Sequence, residues 1–353
     1  MSEERRIRYF LIVPATDVAG PQNVAAAIAS EAVQRGMEVE ILSLTSPSTN
    51  GAFFEGLIVR KFRLRDLLSL QGIVHSHGLR PDFLNALIKV IRRKKVVSLT
   101  TIHNHFFSDL GLLHNKVLVN VSFFIWRLAL SKLDFRVCIS QAMRAYYSKL
   151  FGAAMTLNVV MNGIIVRSND ALQHHEVALV ESWVKSKKSS GKIVLGYVGA
   201  FIERKNILSL IKWLHDREDL ALITCGQVKG LEDRCSGDSI LNLGAKKNPH
   251  ALLLSVDAFV LPSLAEGMPL TVLEAASLGR PTLLSDIPPH KELQEHGLGV
   301  TFDHYTFDNL REALDRALLM NPDDVARNFE ATFTSSRMFE NYLGLLYSDG
   351  QNI

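Results

Sequence analysis

Residues 257–286 constrain the fold of this chain more than any other stretch. They read DAFVLPSLAEGMPLTVLEAASLGRPTLLSD. The short unbroken apolar run at 258–261 is typical of a parallel strand that is buried on both faces. Pro269 fits the first turn of a helix, and Gly279 fits the end of that helix. Because a second apolar run follows at 282–285, the stretch predicts a β-loop-α-β unit whose helix begins beyond the carboxyl end of a strand.

The start of this predicted helix suits a phosphate, because it offers free backbone N–H groups and a partial positive charge. Two carboxylates flank it. Glu266 lies in the preceding loop, and Glu274 lies within the helix. Carboxylates accept hydrogen bonds from vicinal hydroxyls, so a sugar on either side of the phosphate is a natural partner. Two solvated glutamates beside an ordinary βαβ turn would give the same E-x7-E spacing, so the wider context has to decide.

Strand-like and helix-like segments alternate along the rest of the chain. This alternation predicts parallel sheets that are covered by helices on both faces. The apolar runs that we interpret as strands lie at 7–13, 37–42, 57–62, 73–76, 96–102, 135–139, 193–198, 220–224 and 240–243.

The length of 353 residues is long for one domain and suits two. Residues 166–191 are polar and end in a Lys/Ser/Gly run, which is typical of a connection between domains, and we expect part of it to be helical. We therefore predict a first domain at 1–165, a linker at 166–190 and a second domain at 191–334. A final helix is expected at about 335–353.

The composition excludes several classes of protein. Hydrophobic residues make up 47% of the chain, so a substantial core is available and global disorder is excluded. The three cysteines, Cys138, Cys225 and Cys235, lack the spacing of a metal site and indicate a reduced, cytosolic protein.

The first half of the chain is basic. Residues 1–165 contain 20 Lys plus Arg and 11 Asp plus Glu, whereas the remainder contains 19 and 25. Basic clusters at 60–65 and 91–95, with the apolar segment at 117–130, suggest a surface that faces an anionic membrane. A buried helix explains the apolar segment equally well, and that segment is too short to span a bilayer. No aromatic-basic motif of a nucleic-acid reader occurs, so we expect no nucleic-acid partner.

Histidines and a glycine mark strand ends in the first domain. Gly20 opens an alanine-rich helix, where a side chain would block the approach of a ligand to the backbone; a plain turn glycine is the alternative. The sequence VHSHG carries His75 and His77, and TTIHNH carries His103. Ligands of open parallel sheets lie beyond the carboxyl ends of strands, although such histidines are often only structural. No cysteine or acidic residue completes a zinc site here, so we expect no metal.

A pair of cations, Arg204 and Lys205, follows the predicted strand at 193–198. Two neighbouring cations beyond a strand end suit an anionic group such as a phosphate, which charge-assisted hydrogen bonds would hold. A surface Arg-Lys pair without a ligand is the alternative.

The segment EGMPLTVLEAASLGRPTLLSD resembles the donor-binding signature of the retaining glycosyltransferases of family 4 (group 1), which have the GT-B fold. The segment NVVMNGI at 158–164 is similar to the turn that closes the first domain in this family. The resemblance implies an α/β architecture of two Rossmann-like, doubly wound parallel-sheet domains that face a cleft. The C-terminal helix would pack back on the first, acceptor-binding domain.

The resemblance also implies roles for individual residues. Glu266 would touch the transferred sugar and Glu274 the ribose, while Lys205 matches a phosphate-binding lysine and His103 a histidine beside the donor sugar. His103, Glu266 and Lys205 are therefore our candidate catalytic residues. Donor binding would also involve Gly20, Arg204, Gly244, Gly267, Met268, Leu270 and Thr271. The family usually carries an arginine at the position of Ala200, and Arg204 would replace that charge.

By resemblance, the chain would move a hexose or N-acetylhexosamine from a nucleotide sugar, expected to be linked to UDP, to a hydroxyl of a glycan or lipid-linked acceptor. Configuration would be retained, and no cofactor or metal is expected, since no D-x-D stands at a strand end. Synthesis of a bacterial surface polysaccharide (O-antigen or capsule) fits a cytoplasmic protein at the inner face of the membrane. A nucleotide-sugar 2-epimerase of the same fold and a non-catalytic binding subunit stay open as alternatives.

Overall fold

The computed structural model describes residues 6–17, 20–47, 54, 56–107, 115–166, 174–228, 237–246 and 249–348. The chain divides into two compact units. Unit 1 comprises Met1–Ile165 and Phe333–Ile353, and unit 2 comprises Val166–Thr332.

Unit 1 is built on a seven-stranded parallel sheet in the order β3-β2-β1-β4-β5-β6-β7. Its central strands are buried over most of their length, as expected of a sheet with helices on both faces. The strands are β1 (Arg8–Val13), β2 (Glu38–Ser43), β3 (Ile58–Lys61), β4 (Gly72–His77), β5 (Val96–Ile102), β6 (Phe135–Cys138) and β7 (Asn158–Val159). The helices are α1 (Gly20–Gln34), α2 (Asp66–Ser69), α3 (Leu79–Arg92), α4 (Lys116–Leu130), α5 (Gln141–Phe151) and, from the end of the chain, α13 (Ser335–Ser348).

The strand order of unit 1 reverses direction at β1. Because crossovers between parallel strands are right-handed, α1 lies on one face of the sheet, whereas α3 and α4 lie on the other. Helix α13 packs on α1, and α2 packs on α3. The carboxyl ends of β1, β4 and β5 are neighbours, which places the predicted histidines side by side.

Unit 2 is built on a six-stranded parallel sheet in the order β10-β9-β8-β11-β12-β13. The strands are β8 (Ile193–Val198), β9 (Leu220–Cys225), β10 (Ile240–Asn242), β11 (Ala258–Leu261), β12 (Thr282–Ser285) and β13 (Gly299–Phe302). The helices are α6 (His174–Ser189), α7 (Ile207–Leu214), α8 (His250–Ser255), α9 (Leu270–Ser277), α10 (Pro288–Glu295), α11 (Leu310–Leu318) and α12 (Pro322–Thr332).

The predicted doubly wound α/β fold is confirmed, since every pairing between these strands is parallel. The alternation of apolar runs with helical segments was sufficient for this result. One segment differs in detail. Most of the stretch that we interpreted as a linker forms α6, which packs against β8 and α8 and buries Val180 and Val184 in unit 2.

The C-terminal helix packs back on unit 1, as the resemblance implied. On α13, Met338, Phe339 and Tyr342 are buried, and the Tyr342 hydroxyl lies 2.6 Å from Oγ1 of Thr101 on β5. The chain enters this helix beside Gly163, where a Cβ would lie 2.2 Å from the carbonyl oxygen of Thr334. Only glycine permits this approach. Residues 349–353 of the predicted helix lie outside the described residues.

No helix in the described ranges is both long and apolar enough to cross a bilayer.

Candidate active site

Two loops of unit 2 meet at the carboxyl ends of β8 and β11, which are paired neighbours in the sheet. The first loop makes a 3-10 turn over Glu203–Lys205 and ends at Asn206, whose φ of 52° is left-handed. The second loop joins β11 to α9. A backbone hydrogen bond of 2.8 Å from Leu264 N to the Arg204 carbonyl oxygen ties the two loops together.

Both predicted cations contact the predicted sugar-binding carboxylate. Lys205 Nζ lies 2.6 Å from Glu266 Oε1, and Arg204 donates to Glu266 Oε2 at 3.3 Å and to the Ala265 carbonyl at 2.7 Å. Glu266 is only 7% exposed. Burial acts to raise the pKa of Glu266, but the charges of Lys205 and Arg204 outweigh it and leave that pKa below its usual value. The site therefore holds a buried, ionised carboxylate between two cations at neutral pH.

The N-terminus of α9 lies at the end of the same loop. Helix α9 begins at Leu270, and Pro269 precedes it in an extended conformation. The side-chain hydroxyls of Ser263 and Thr271 are buried and have no hydrogen-bond partner among the residues that the structure describes. Glu274, in the second turn of α9, is half-buried. Buried hydroxyl groups are normally paired, so these two are available to a ligand at this terminus.

The remaining predicted donor-binding residues of unit 2 lie on the loops around this point. Met268 is buried and Gly267 is half-buried just before α9. Gly244 follows β10 with a φ of +67°, and its carbonyl accepts a 2.9 Å hydrogen bond from Gly226 N. A Cβ on Gly226 would lie 1.8 Å from the Gly199 carbonyl oxygen, so the loops after β8 and β9 are packed backbone to backbone.

Ala200, where the family usually has an arginine, is exposed, and its carbonyl accepts a 2.9 Å hydrogen bond from the Tyr197 hydroxyl. Arg204, four residues later, reaches Glu266 instead. The contact agrees with our expectation that Arg204 supplies the missing charge, which stays a prediction.

Two histidines of this site were missed by the sequence reasoning. His290, on α10, is fully buried, and its Nδ1 lies 2.8 Å from Ser285 Oγ. Burial lowers its pKa to about 4, against the attraction of the Glu266 charge. His304 is buried, and its carbonyl accepts a 3.0 Å hydrogen bond from the Asn206 side chain. His290 follows β12, a neighbour of β11, so the strand-end rule that selected His103 would also have found it.

Unit 1 contains a second group of predicted residues at the carboxyl ends of β4 and β5. His103 is buried, and its Nε2 lies 2.8 Å from Nδ1 of His77. His75 lies between the Tyr9 hydroxyl, at 2.9 Å, and Thr101 Oγ1, at 2.7 Å. Burial lowers the pKa of His103 to about 3 and those of His75 and His77 well below their usual range. All three imidazoles are therefore neutral at physiological pH, and His103 acts as a hydrogen-bonding group, not as a cation.

A pocket of about 200 Å³ adjoins this group. Its lining is mainly apolar and includes Asp82, Ile102, His103, Phe106, Trp126 and Tyr147. Asp82 accepts hydrogen bonds from Thr100, Ser76 and the Trp126 indole. Burial raises the pKa of Asp82 to about 6, although these hydrogen bonds act against the shift.

Gly20 opens α1 in unit 1 and is exposed, and its neighbour Pro21 lines this pocket. The structure thus brings together Arg204, Lys205 and Glu266 before α9, whereas His103 and Gly20 belong to the other unit. Within the described ranges, no group of three or more His, Cys, Asp or Glu side chains is arranged to hold a metal ion.

Comparison with known proteins places both units in one family. The family model described as glycosyltransferase family 4 matches residues 18–167, and that of the glycosyl transferases group 1 matches residues 181–332. The O-antigen biosynthesis glycosyltransferase WclY of Escherichia coli is 29% identical over 290 residues, which cover 79% of this chain and 80% of that protein.

Two further relatives differ in what they cover. The Escherichia coli protein named UDP-Gal:alpha-D-GlcNAc-diphosphoundecaprenol alpha-1,3-galactosyltransferase is 50% identical over 48 residues, 14% of this chain and 12% of that protein. The crystal structure of Anabaena HepE in complex with UDP-glucose superimposes with a TM-score of 0.77 at 14% identity, over 97% of this chain and 100% of that one. At this identity the superposition demonstrates the fold alone.

The two family models match in chain order, the first over the unit that carries His103 and the second over the unit that carries Glu266. The parallel sheets and the returning helix α13 agree with the fold of that family. The chain therefore belongs to the family 4 (group 1) glycosyltransferases and has the GT-B fold.

Proposed function

We propose that this glycosyltransferase moves a hexose or N-acetylhexosamine from a UDP-sugar to a hydroxyl of a glycan or lipid-linked acceptor. Transfer would retain the anomeric configuration, need no metal ion and serve the synthesis of a bacterial surface polysaccharide at the cytoplasmic face of the membrane. The observation that carries the proposal is the buried ion pair between Lys205 and Glu266 beside the start of α9.

This ion pair is suited to exchange partners when a sugar diphosphate binds. The diphosphate competes with Glu266 for Lys205 and Arg204, because it carries more negative charge and is reached by the same flexible side chains. Glu266 then has oxygen lone pairs available for the hydroxyls of the transferred sugar. Before the donor binds, the charges of Lys205 and Arg204 hold the pKa of Glu266 below its usual value, so the carboxylate is ionised when the sugar arrives.

The reaction that we propose is the one that the resemblance to the retaining family implies. The bond between C1 of the sugar and the phosphate oxygen breaks, and a bond between C1 and the acceptor oxygen forms on the same face. The acceptor proton passes to the departing phosphate oxygen. Lys205, Arg204 and the N–H groups at the start of α9 stabilise the negative charge that develops on the diphosphate. These protein charges take the place that a divalent cation has in other transferases.

The names of relatives support the choice of substrates. HepE was crystallised with UDP-glucose, WclY is named for O-antigen biosynthesis, and the galactosyltransferase is named for a diphosphoundecaprenol acceptor. These proteins favour a UDP-linked donor and a lipid-linked or glycan acceptor for this chain as well.

A thermal-shift screen of UDP-, GDP- and ADP-sugars in the presence of EDTA tests the donor. We expect a UDP-sugar to raise the melting temperature by several degrees, because a ligand that binds only the folded state stabilises it by mass action. Lys205→Ala should remove the shift. Lys212→Ala, at an exposed lysine on α7 of the same unit, is the matched control and should keep it.

Turnover tests the reaction itself. Product formed in EDTA with the donor's anomeric configuration, read by NMR coupling constants, would support retention without a metal. Conversion of the donor in the absence of an acceptor would indicate the epimerase instead. Donor binding without turnover or hydrolysis for any acceptor would indicate a binding subunit, and the absence of a shift with every nucleotide sugar would refute the proposal.

A further inference from the structure

The outward face of α4 is apolar, although it is exposed to solvent. A surface helix normally presents polar side chains on this side, and its apolar residues face the core. Here α4 does bury Val119, Trp126 and Ala129 against unit 1. The opposite side, however, carries an exposed stripe over its whole length, formed by Val117, Leu118, Val121, Phe124, Ile125 and Leu128.

Neighbouring helices extend this stripe into a surface. Helix α3 packs beside α4, and the Trp126 indole donates a 2.8 Å hydrogen bond to Asp82 on α3. On α3 the exposed residues Leu87, Val90 and Ile91 continue the apolar area. Leu64, just before α2, and Leu68, on α2, also belong to this area and are 81% and 65% exposed. We call the outer sides of α2, α3 and α4 the outer helical face. Contiguous exposed apolar areas of this kind mark interaction surfaces.

The charges on this face have one sign. Within residues 56–107 and 115–134, the carboxylates are Asp66 and Asp82, which are buried, and Asp134, which lies 2.6 Å from Lys89. Nine basic side chains, in contrast, are exposed: Lys61, Arg63, Arg65, Arg80, Arg93, Lys94, Lys95, Lys116 and Lys132. The other four basic side chains of these ranges, Arg60, Lys89, Arg92 and Arg127, are half-buried. An apolar area that is rimmed by unopposed cations is complementary to a surface that is apolar beneath an anionic layer.

We propose that the outer helical face docks unit 1 on an anionic lipid bilayer. The stripe on α4 enters the boundary between headgroups and acyl chains, and the surrounding bases contact lipid phosphates. A second copy of this chain fits less well, because a two-fold contact would bring the same unopposed cations together. The phosphates of an RNA would contact the Lys and Arg side chains, but the apolar stripe on α4 would remain exposed to water.

Docking in this way places the pocket of unit 1 beside the membrane. Trp126 lies on the inner side of α4 and lines the pocket that also includes His103, while Phe124 and Ile125 lie on the outer side of the same helix. An acceptor anchored by a lipid would then reach the pocket without leaving the bilayer. Only this consequence rests on the proposed function, whereas the docking itself rests on the exposed residues.

Flotation of the full chain with vesicles tests the proposal. Vesicles that contain phosphatidylglycerol should carry the protein at low salt, and vesicles of phosphatidylcholine alone should carry about tenfold less, because the cations no longer contribute. High salt should weaken the first binding by a similar factor. The double variant Phe124→Asp with Ile125→Asp should lose about tenfold or more. Leu319→Asp, at an 86% exposed leucine of unit 2, is the matched apolar control and should bind as the wild type.

A charge-reversal variant tests the basic side chains around the apolar area separately. Replacement of Arg93, Lys94 and Lys95 by Glu should weaken binding to anionic vesicles several-fold and abolish most of its salt dependence. Replacement of Lys185, Lys187 and Lys212 by Glu changes the net charge equally in unit 2 and should have little effect.

The outcomes separate the possibilities. Wild type that ignores anionic vesicles at low salt, or controls that weaken binding as much as the test variants, would overturn the proposal. A dimer by light scattering that Phe124→Asp dissociates, with unchanged flotation, would assign the face to a second copy instead. The increase in melting temperature that a UDP-sugar causes should be the same in Phe124→Asp and in wild type. If no donor binds while flotation persists, the proposed function fails and the docking stands.

Discussion

At the scale of single residues, the site of unit 2 depends on one carboxylate between two cations. The sequence placed Glu266, Lys205 and Arg204 in two separate loops, 61 positions apart for the closer pair, and only folding brings them within hydrogen-bond distance. The ionised state of Glu266 depends on this contact, since burial alone would favour the protonated acid.

Glu266→Gln should keep the shape of this side chain and remove its charge. We expect turnover to fall by at least about 100-fold, because the neutral amide holds neither the sugar hydroxyls nor Lys205 as strongly. Donor affinity should be kept or should rise, since Lys205 no longer has to leave an ion pair. Steady-state kinetics and calorimetry with the UDP-sugar measure the two effects. Glu312→Gln, on α11, is the control, and wild-type turnover of Glu266→Gln would contradict the assigned role.

The buried imidazoles of unit 1 predict an acid-sensitive fold. His75, His77 and His103 stay neutral when folded but take up protons near pH 6.5 when unfolded. Because the unfolded chain then binds more protons, the free energy of unfolding is fully present above pH 6.5 and falls as pH decreases below it. Each imidazole contributes up to about 1.4 kcal/mol per pH unit. Asp82 acts against this trend below about pH 6, because its pKa is raised to about 6 and the folded chain there binds one proton that the unfolded chain does not.

Urea unfolding at pH 7.5, 6.5 and 5.5 measures this dependence. His77→Asn keeps a polar group near the position of Nδ1 but cannot be protonated, so its stability should fall less steeply with decreasing pH. His296→Asn, at a histidine outside this cluster and in the other unit, should leave the pH dependence of the unfolding free energy of unit 1 unchanged. A wild-type stability that is independent of pH between 7.5 and 5.5 would contradict the neutral state of the three imidazoles.

At the scale of elements, the glycines in the loops differ in whether the surrounding protein leaves space for a side chain. A Cβ on Gly226 would collide with the Gly199 carbonyl, whereas a Cβ on Gly20 would meet no protein atom within 4 Å. Gly20 therefore has no packing reason to lack a side chain where α1 begins, and the expected approach of a ligand stays a prediction.

Gly20→Ala should leave the unfolding free energy within about 0.5 kcal/mol of wild type, as is usual for exposed positions. If the donor diphosphate approaches α1, its affinity should fall by about tenfold or more because the methyl group occupies that space. Gly226→Ala should instead lose about 1–3 kcal/mol of stability through overpacking. Chemical denaturation and donor titration separate the effects, and unchanged donor affinity in Gly20→Ala would remove Gly20 from the site.

At the scale of the whole molecule, the chain returns to unit 1 through α13. Tyr342 contributes a fully buried side chain, and its hydroxyl ends a chain of contacts that runs through Thr101 and His75 to Tyr9. The last helix of the sequence is thus part of the core that supports the histidines near the start. Removal of its side chains should therefore loosen unit 1 and not unit 2.

Tyr342→Ala should cost about 3–5 kcal/mol of stability, as is typical for a buried aromatic residue replaced by alanine. Hydrogen exchange should accelerate in β1, β4 and β5 and stay unchanged in the strands of unit 2. Tyr347→Ala, at a 51% exposed tyrosine of the same helix, is the control and should have little effect. Equal acceleration of exchange in both units would show that α13 does not stabilise unit 1 selectively.

The secondary structure and the parallel sheets were predictable because their signals are local. The apolar run at 258–261, Pro269 and Gly279 are read from neighbours a few positions away, and the structure has β11 and α9 there. The helix over 174–189 was not recognised as part of a domain, since its segment is polar and, among the side chains described at 177–189, only Val180 and Val184 are buried. His290 was missed although it follows a strand, because it lies five positions beyond the strand's last residue and outside the motifs that drew attention to the other histidines.

The sequence by itself determined the family, the alternation of strands and helices and the identity of the candidate groups, since these depend on residue types and short spacings. Tertiary structure alone decided which groups meet. The pairing of Lys205 with Glu266 and of His77 with His103 depends on neighbouring strands that are distant along the chain. It also decided which apolar side chains of α4 remain exposed. Both sides of that helix are apolar, so periodicity carries no information, and only its packing against α3 selects the buried side.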